Sequence, residues 1–192
     1  MSCSPLFRVC VVCTGNICRS PMGEVVLRAM VEDQGLGHVV TVDSAGLSDW
    51  HVGDGADPRT LTALGNAGYD GSAHLAREFD LAWFAERDLV LAADVGHQRA
   101  LRGLARDAGG PQRPGQIRLL REFDADAAAR GDVELDDPYY GGARDFRRCL
   151  EEVEASCRGL VAHLLDGACR TASQPARQPA RRPGEAAGTQ SR

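Results

Sequence analysis

The chain has 192 residues and a formal net charge of −5, which fits one domain whose core needs neither disulfides nor a structural metal. Its basic side chains are all arginine, and five of them fall in 168–192 against the single Glu185, so the rest of the chain is more acidic than the total. An acidic body excludes nucleic acid as the main partner, because phosphate backbones are bound through basic surface; a phosphate site here must be local.

From the N-terminus, Phe7 to Val12 is β-rich and predicts a first strand. Ser20-Pro21 starts a helix in which Val25, Val26, Ala29 and Met30 recur at helical spacing, and Gly35-Leu36-Gly37 ends it. Val39 to Val42 predicts a second strand. Asp57-Pro58 opens a second helix that runs to about Ala67 and stops at Gly68. Leu89 to Ala92 reads as a third strand, His97 to Ala105 as a helix, Ile117 to Leu120 as a short fourth strand, and Arg144 to Leu165 as a long closing helix. The segment from Glu122 to Leu135 is rich in alanine and aspartate and has no clear period. Beyond it, 168–192 is Ala, Arg, Pro, Gln and Ser without an apolar pattern, so the expected organisation is a domain over 1–167 and a disordered tail over 168–192.

Strand–helix alternation with short connections predicts an α/β fold with a parallel sheet covered on both faces. Such sheets bind ligands beyond the carboxyl ends of their strands. No stretch approaches the roughly 20 apolar residues of a membrane span, and Val9 to Val12 is too short for a signal peptide, so the expected location is the cytoplasm. Cys3, Cys10, Cys13, Cys18, Cys149, Cys157 and Cys169 are odd in number and clustered at the two ends, which suits reduced thiols better than a disulfide framework.

The segment after the first strand reads Cys13-Thr14-Gly15-Asn16-Ile17-Cys18-Arg19-Ser20. Gly15, together with Asn16, which tolerates a left-handed backbone, lets the loop turn its amides inward as an anion nest. The following helix adds its positive end, and Arg19 can place a planar fork on two phosphate oxygens. Cys13 lies at the floor of that field, where a cationic neighbour and a helix N-terminus favour the thiolate. Ser20 is placed to donate to the sulfur. A thiolate beneath a bound phosphate is set for in-line attack and a phosphocysteine intermediate. A nucleotide-binding loop is excluded because its lysine is missing.

The run Val9-Cys10-Val11-Val12-Cys13-Thr14-Gly15-Asn16-Ile17-Cys18-Arg19-Ser20-Pro21-Met22 resembles the signature of the low-molecular-weight protein tyrosine phosphatases, and the likeness extends from about Phe7 to Leu165. The resemblance implies a four-stranded parallel sheet in flavodoxin-like order with helices on both faces. It also implies hydrolysis of phosphotyrosine in protein substrates, with no cofactor and no metal. Asp136-Asp137-Pro138-Tyr139-Tyr140-Gly141-Gly142 resembles the family's acid loop, in which the aspartate directly before proline is the general acid; that position is Asp137. Trp50, in a glycine-rich loop after the second strand, would join Tyr139 and Tyr140 in a deep aromatic slot. Asn16, Ser44 and His74 match loop-bracing positions, and Asp94 matches the acid that orients the catalytic arginine.

Other readings remain beside this one. Cys18 would either form a protective disulfide with an oxidised Cys13 or pack beneath the loop. Arsenate reduction would need further cysteines near the third strand, and none occurs from Arg19 to Arg148. Phosphoarginine hydrolysis goes with a threonine where Ile17 stands and without the tyrosine pair. A silent phosphotyrosine-binding module would usually lose Cys13, Arg19 or Asp137, and all three are kept.

Overall fold

A computed structural model describes residues 7–108 and 115–172. Four parallel strands form one sheet in the order β2-β1-β3-β4, with β1 Phe7–Cys13, β2 Val40–Gly46, β3 Leu89–Ala92 and β4 Ile117–Leu119. The α/β class, the parallel sheet and the flavodoxin-like order all agree with the expectation from sequence. Strand β1 is central because its side chains are apolar on both faces. Val9, Val11 and Cys13 enter one core with α1 (Arg19–Asp33) and the closing helix α6 (Ala143–Ala172). Cys10 and Val12 enter a second core with Phe79, Phe84 and the helix α4 (Val95–Asp107). Cys10 and Cys13 therefore lie on opposite faces of the sheet, as the period of two requires.

Helix α1 lies close against β1: a Cβ added at Gly23 would meet Val11 Cγ1 at 2.8 Å. Helix α2 (Pro58–Asn66) begins at Asp57, whose carboxylate accepts the Arg59 N–H, with Pro58 in the first turn where its missing N–H costs nothing. The short helix α3 (Trp83–Glu86) precedes β3 and carries no apolar period of helical length from which to predict it.

The stretch Glu122 to Leu135 is built from three pieces. A 3₁₀ turn covers Leu120–Phe123, and α5 (Ala125–Arg130) follows, capped by Asp124 and closed by Gly131 at φ 72°. An extended run then returns to the sheet, where the Leu135 N–H bonds to Ala93 O at 2.9 Å. Arg121 fixes that run, pairing with Asp132 at 3.0 Å and donating to Glu134 O at 3.0 Å. The approach to Asp137 is thus anchored at the carboxyl end of β3.

Helix α6 extends past its predicted end at Leu165 to Ala172. No proline occurs between Pro138 and Pro175, and Gly167 alone does not end the helix. Part of the segment assigned to the tail is therefore helical, and 173–192 lies outside the described residues. Among the described residues, Cys10, Cys13, Cys18, Cys149 and Cys157 are free and buried; Cys3 and the Cys169 thiol lie outside the description. No helix among the described residues is long and apolar enough to cross a membrane.

Candidate active site

Chain direction and strand order together create the site. From β1 the chain goes to β2 on one side and, later, to β3 on the other, so the carboxyl end of β1 is the switch point at which such sheets open a crevice. The turn from β1 into α1 occupies it. Asn16 holds a left-handed backbone at φ 57°, the conformation asparagine tolerates better than most residues. Helix α1 starts at Arg19 with no acidic residue in its first turn and no side chain on its end, so its positive terminus faces the loop.

Hydrogen bonds within the floor leave the loop little freedom. Cys13 Sγ lies 3.0 Å from Ser20 Oγ. The Asn16 amide donates to Ser20 Oγ and to Ser44 Oγ, each at 2.8 Å, and its carbonyl accepts the Arg77 N–H at 3.0 Å. His74 Nε2 meets Asn16 O at 2.7 Å, and Nδ1 of the same ring lies 3.5 Å from Glu24. Burial works against the Glu24 charge, but hydrogen bonds from His74 and Ser44 outweigh it and hold the carboxyl below its ordinary value. On the β2 side, Leu47 N–H and Ser48 N–H reach back to Cys13 O and Thr14 O at 2.9 and 3.0 Å. A Cβ at Gly46 would meet Thr14 O at 2.6 Å, so only glycine lets the loop lie this close.

Arg19 is buried, and both terminal nitrogens of its guanidinium have partners. Nη1 donates to Asp94 Oδ2 at 2.8 Å and to Leu135 O at 3.3 Å, and Nη2 pairs with Asp137 Oδ2 at 2.8 Å. Asp94 caps α4 through the His97 N–H at 2.8 Å. The His97 ring bridges Asp94 Oδ2 at 2.7 Å and the Thr14 hydroxyl at 2.8 Å. Partial burial raises the cost of the Asp94 charge, yet the His97 contacts and then the Arg19 charge hold its carboxyl well below the usual carboxylate range. Cys18 differs: burial pushes its thiol up to about 12, and it stays protonated at neutral pH.

Cys13, Thr14, Gly15, Ile17, Cys18 and Arg19 line a pocket whose other walls are Trp50, His51, Asp137, Tyr139 and Tyr140. Asn16, Ser20, Ser44, His74 and Asp94 stand behind that lining rather than in it. The site residues singled out from sequence thus lie at one place, either on the wall or one or two contacts behind it. His51, Glu24, Arg77 and His97 also belong to this arrangement and were not singled out. His51 follows Trp50 directly and Glu24 lies one helical turn after Ser20, so adjacency was the available signal; Arg77 and His97 have no such neighbour relation to the loop in sequence.

The sequence profile of the low molecular weight phosphotyrosine protein phosphatases matches residues 8–168. The chain belongs to this family. It is accordingly a protein-tyrosine phosphatase, a hydrolase. A low molecular weight protein-tyrosine-phosphatase of Streptomyces coelicolor is 57% identical over 159 residues, covering 81% of this chain and 92% of that one. Among solved structures, a protein tyrosine phosphatase from Entamoeba histolytica with Hepes in its active site superposes with a TM-score of 0.75 at 28% identity, covering 84% of this chain and 99% of that chain. A Drosophila arginine phosphatase superposes with a TM-score of 0.74 at 29% identity, covering 83% and 98%. The fold is therefore shared by phosphatases named for tyrosine and for arginine.

Proposed function

We propose that Cys13 is the nucleophile, Arg19 the phosphate clamp and Asp137 the general acid and base of this phosphatase. The observation that carries the reading is that Cys13, Arg19 and Asp137 line one pocket, with Arg19 in direct contact with Asp137. In the first step the Cys13 thiolate attacks phosphorus in line. The S–P bond forms, the P–O bond to the tyrosyl oxygen breaks, and Asp137 gives its proton to the departing phenolate. In the second step water attacks phosphorus and loses a proton to Asp137, and the S–P bond breaks to return the thiolate and release inorganic phosphate. The Ser20 hydroxyl steadies the sulfur in its anionic states. Loop amides, the α1 terminus and Arg19 carry the equatorial oxygens, whose charge is what the site must stabilise.

Phosphotyrosine in proteins is the substrate class this pocket fits. Trp50 and the Tyr139–Tyr140 pair, whose rings meet edge to face at 5.0 Å, offer aromatic walls to a phenyl ring. Ile17 presents an apolar surface where phosphoarginine hydrolysis would be served by a hydroxyl. The domain over 1–167 carries the chemistry, and α6 runs on from it to Ala172. The free thiols and a thiolate-dependent reaction favour a reducing compartment, the cytoplasm.

Phosphate release from a phosphotyrosine peptide and from phosphoarginine, compared for wild type, Cys13→Ser and Asp137→Ala, tests the reading. Loss of turnover in Cys13→Ser and a loss of roughly 10²–10⁴-fold in Asp137→Ala are expected on the tyrosine substrate. Appreciable turnover by Cys13→Ser would sink the mechanism, and preference for phosphoarginine would replace the substrate.

A further inference from the structure

Arg59 lies outside the pocket lining yet is linked to both loops that form it, to the acid loop directly and to the phosphate loop through Asp57. Its Nε and Nη2 meet the Asp57 carboxylate at 3.0 and 2.7 Å, a bidentate pairing that fixes the guanidinium plane. The remaining Nη1 donates to two carbonyls of the acid loop, Tyr139 O at 2.9 Å and Gly141 O at 3.1 Å. The guanidinium carbon sits 4.6 Å from the Phe146 ring centre and 5.5 Å from that of Tyr139, so aromatic faces hold it as well. Asp57, in turn, donates its backbone N–H to Ile17 O of the phosphate loop at 2.9 Å. A short path through Asp57 and Arg59 thus ties the loop that holds phosphate to the loop that carries the acid.

The acid loop needs such a tie. Its internal bonds, Gly141 N–H to Pro138 O at 2.8 Å and Tyr139 N–H to Asp137 Oδ1 at 3.1 Å, set the shape of the turn but not its place. Its entry is anchored at Leu135, and its exit runs into α6. Asp137 is also held by Arg19 at 2.8 Å, but Arg19 serves phosphate in the proposed mechanism. Arg59 holds the apex of the loop through contacts that do not involve Arg19.

We propose that Arg59 is a positioning residue for proton transfer, fixing where Asp137 meets the leaving oxygen by clamping the Tyr139 and Gly141 carbonyls to the phosphate loop. The inference rests on Asp137 being the general acid. It is distinct from phosphate binding, because Arg59 lies outside the pocket lining. A general acid matters most when the departing phenol is weakly acidic and least when it leaves readily without help. Misplacing a reacting group by about 1 Å can cost on the order of 10²-fold, and a partial loss of register costs less.

The test compares kcat/KM on a phosphotyrosine peptide with kcat/KM on a dinitrophenyl phosphate, for wild type, Arg59→Ala, Arg59→Lys, Asp137→Ala and the Arg59→Ala/Asp137→Ala pair. Arg59→Ala is expected to lose about tenfold on the peptide and less than about twofold on the activated ester, with inhibition by inorganic phosphate unchanged. Arg59→Lys, which keeps the charge beside Asp57 but not the fork, is expected to show the same selective loss and decides the matter if the alanine variant does not fold. In the Asp137→Ala background the Arg59 change should add nothing. A uniform loss on both substrates, or a full additional loss in the double variant, overturns the proposal. If Asp137→Ala shows the leaving-group dependence and neither Arg59 variant does, the positioning role alone falls. If Asp137→Ala lacks that dependence, the acid assignment fails and the Arg59 proposal with it.

Discussion

Asn16, Ser20 and Ser44, which hold the floor of the pocket, have no exposed surface, whereas Trp50 and Tyr140 at its rim are 77% and 93% exposed. The difference follows from what each region meets. In the proposed mechanism the floor stabilises negative charge on the phosphoryl oxygens, and donors aimed at such charge work best when they are already in place and need no reorganisation. Each donor is therefore braced by a second group, and that group by a third, as in the path from Asn16 through His74 to Glu24. The rim meets a protein substrate that arrives from solvent, and exposed aromatic surface is what it needs to offer. Rigidity and exposure are divided between two walls of the same cavity.

Breaking the floor should have the largest effect. In Asn16→Ala, Ser20, Ser44 and the Arg77 amide lose hydrogen-bond partners, and a left-handed backbone is forced on alanine. Together these cost about 2–5 kcal/mol of stability, from about 1–3 for unsatisfied buried groups and about 1–2 for the backbone. Asn16→Gly relieves the backbone strain but not the lost bonds. Chemical denaturation should therefore rank wild type above Asn16→Gly and Asn16→Gly above Asn16→Ala, and both variants should lose on the order of 10²-fold in kcat/KM. Equal activity in wild type and Asn16→Gly would mean that the bracing network does not serve catalysis.

The two regions also differed in how far sequence revealed them. The strand, loop and helix around Cys13 were legible because a short apolar strand, a glycine, an asparagine and a proline are local signals, and the structure places β1 and α1 within a residue or two of the expectation. The order of the strands came from resemblance, since pairing is long-range. What the sequence hid were contacts between distant segments. Arg59 lies 80 residues from Tyr139, and His97 lies 83 from Thr14, so neither pairing has a local signature. The stretch before the acid loop was obscure for a related reason. Its path is set by Arg121 and by a bond to Ala93 rather than by any period of its own.

A smaller effect is expected where floor and acid loop meet. The unfolded Asp94 carboxyl takes up a proton near pH 3.9, whereas the folded one is held well below that. Its contribution to stability is therefore present above about pH 4 and fades as pH falls toward the folded value. Asp94→Asn should unfold roughly 2–4 °C below wild type at neutral pH, the shift expected for about 1 kcal/mol in a domain of this size. The gap should close as the pH of the melting experiment is lowered through 4. A gap of constant size from pH 7 to pH 3 would mean that the Asp94 charge does not stabilise the fold.

The smallest effect belongs to the rim, and it is the one that separates the two plans most cleanly. Trp50 is largely exposed, so Trp50→Ala should leave the unfolding transition unchanged within about 0.5 kcal/mol. An aromatic contact with the substrate ring is worth about 0.5–1.5 kcal/mol beyond its buried area, so KM for a phosphotyrosine peptide should rise about 2- to 10-fold. A ring that stacks on the phenyl group equally in the ground state and in the transition state leaves kcat unchanged, so kcat/KM should fall with the rise in KM alone. Inhibition by inorganic phosphate, which has no ring, should not move. If Trp50→Ala weakened phosphate inhibition as much as peptide binding, the tryptophan would be shaping the floor, and the division between a braced floor and an exposed rim would fail at that wall.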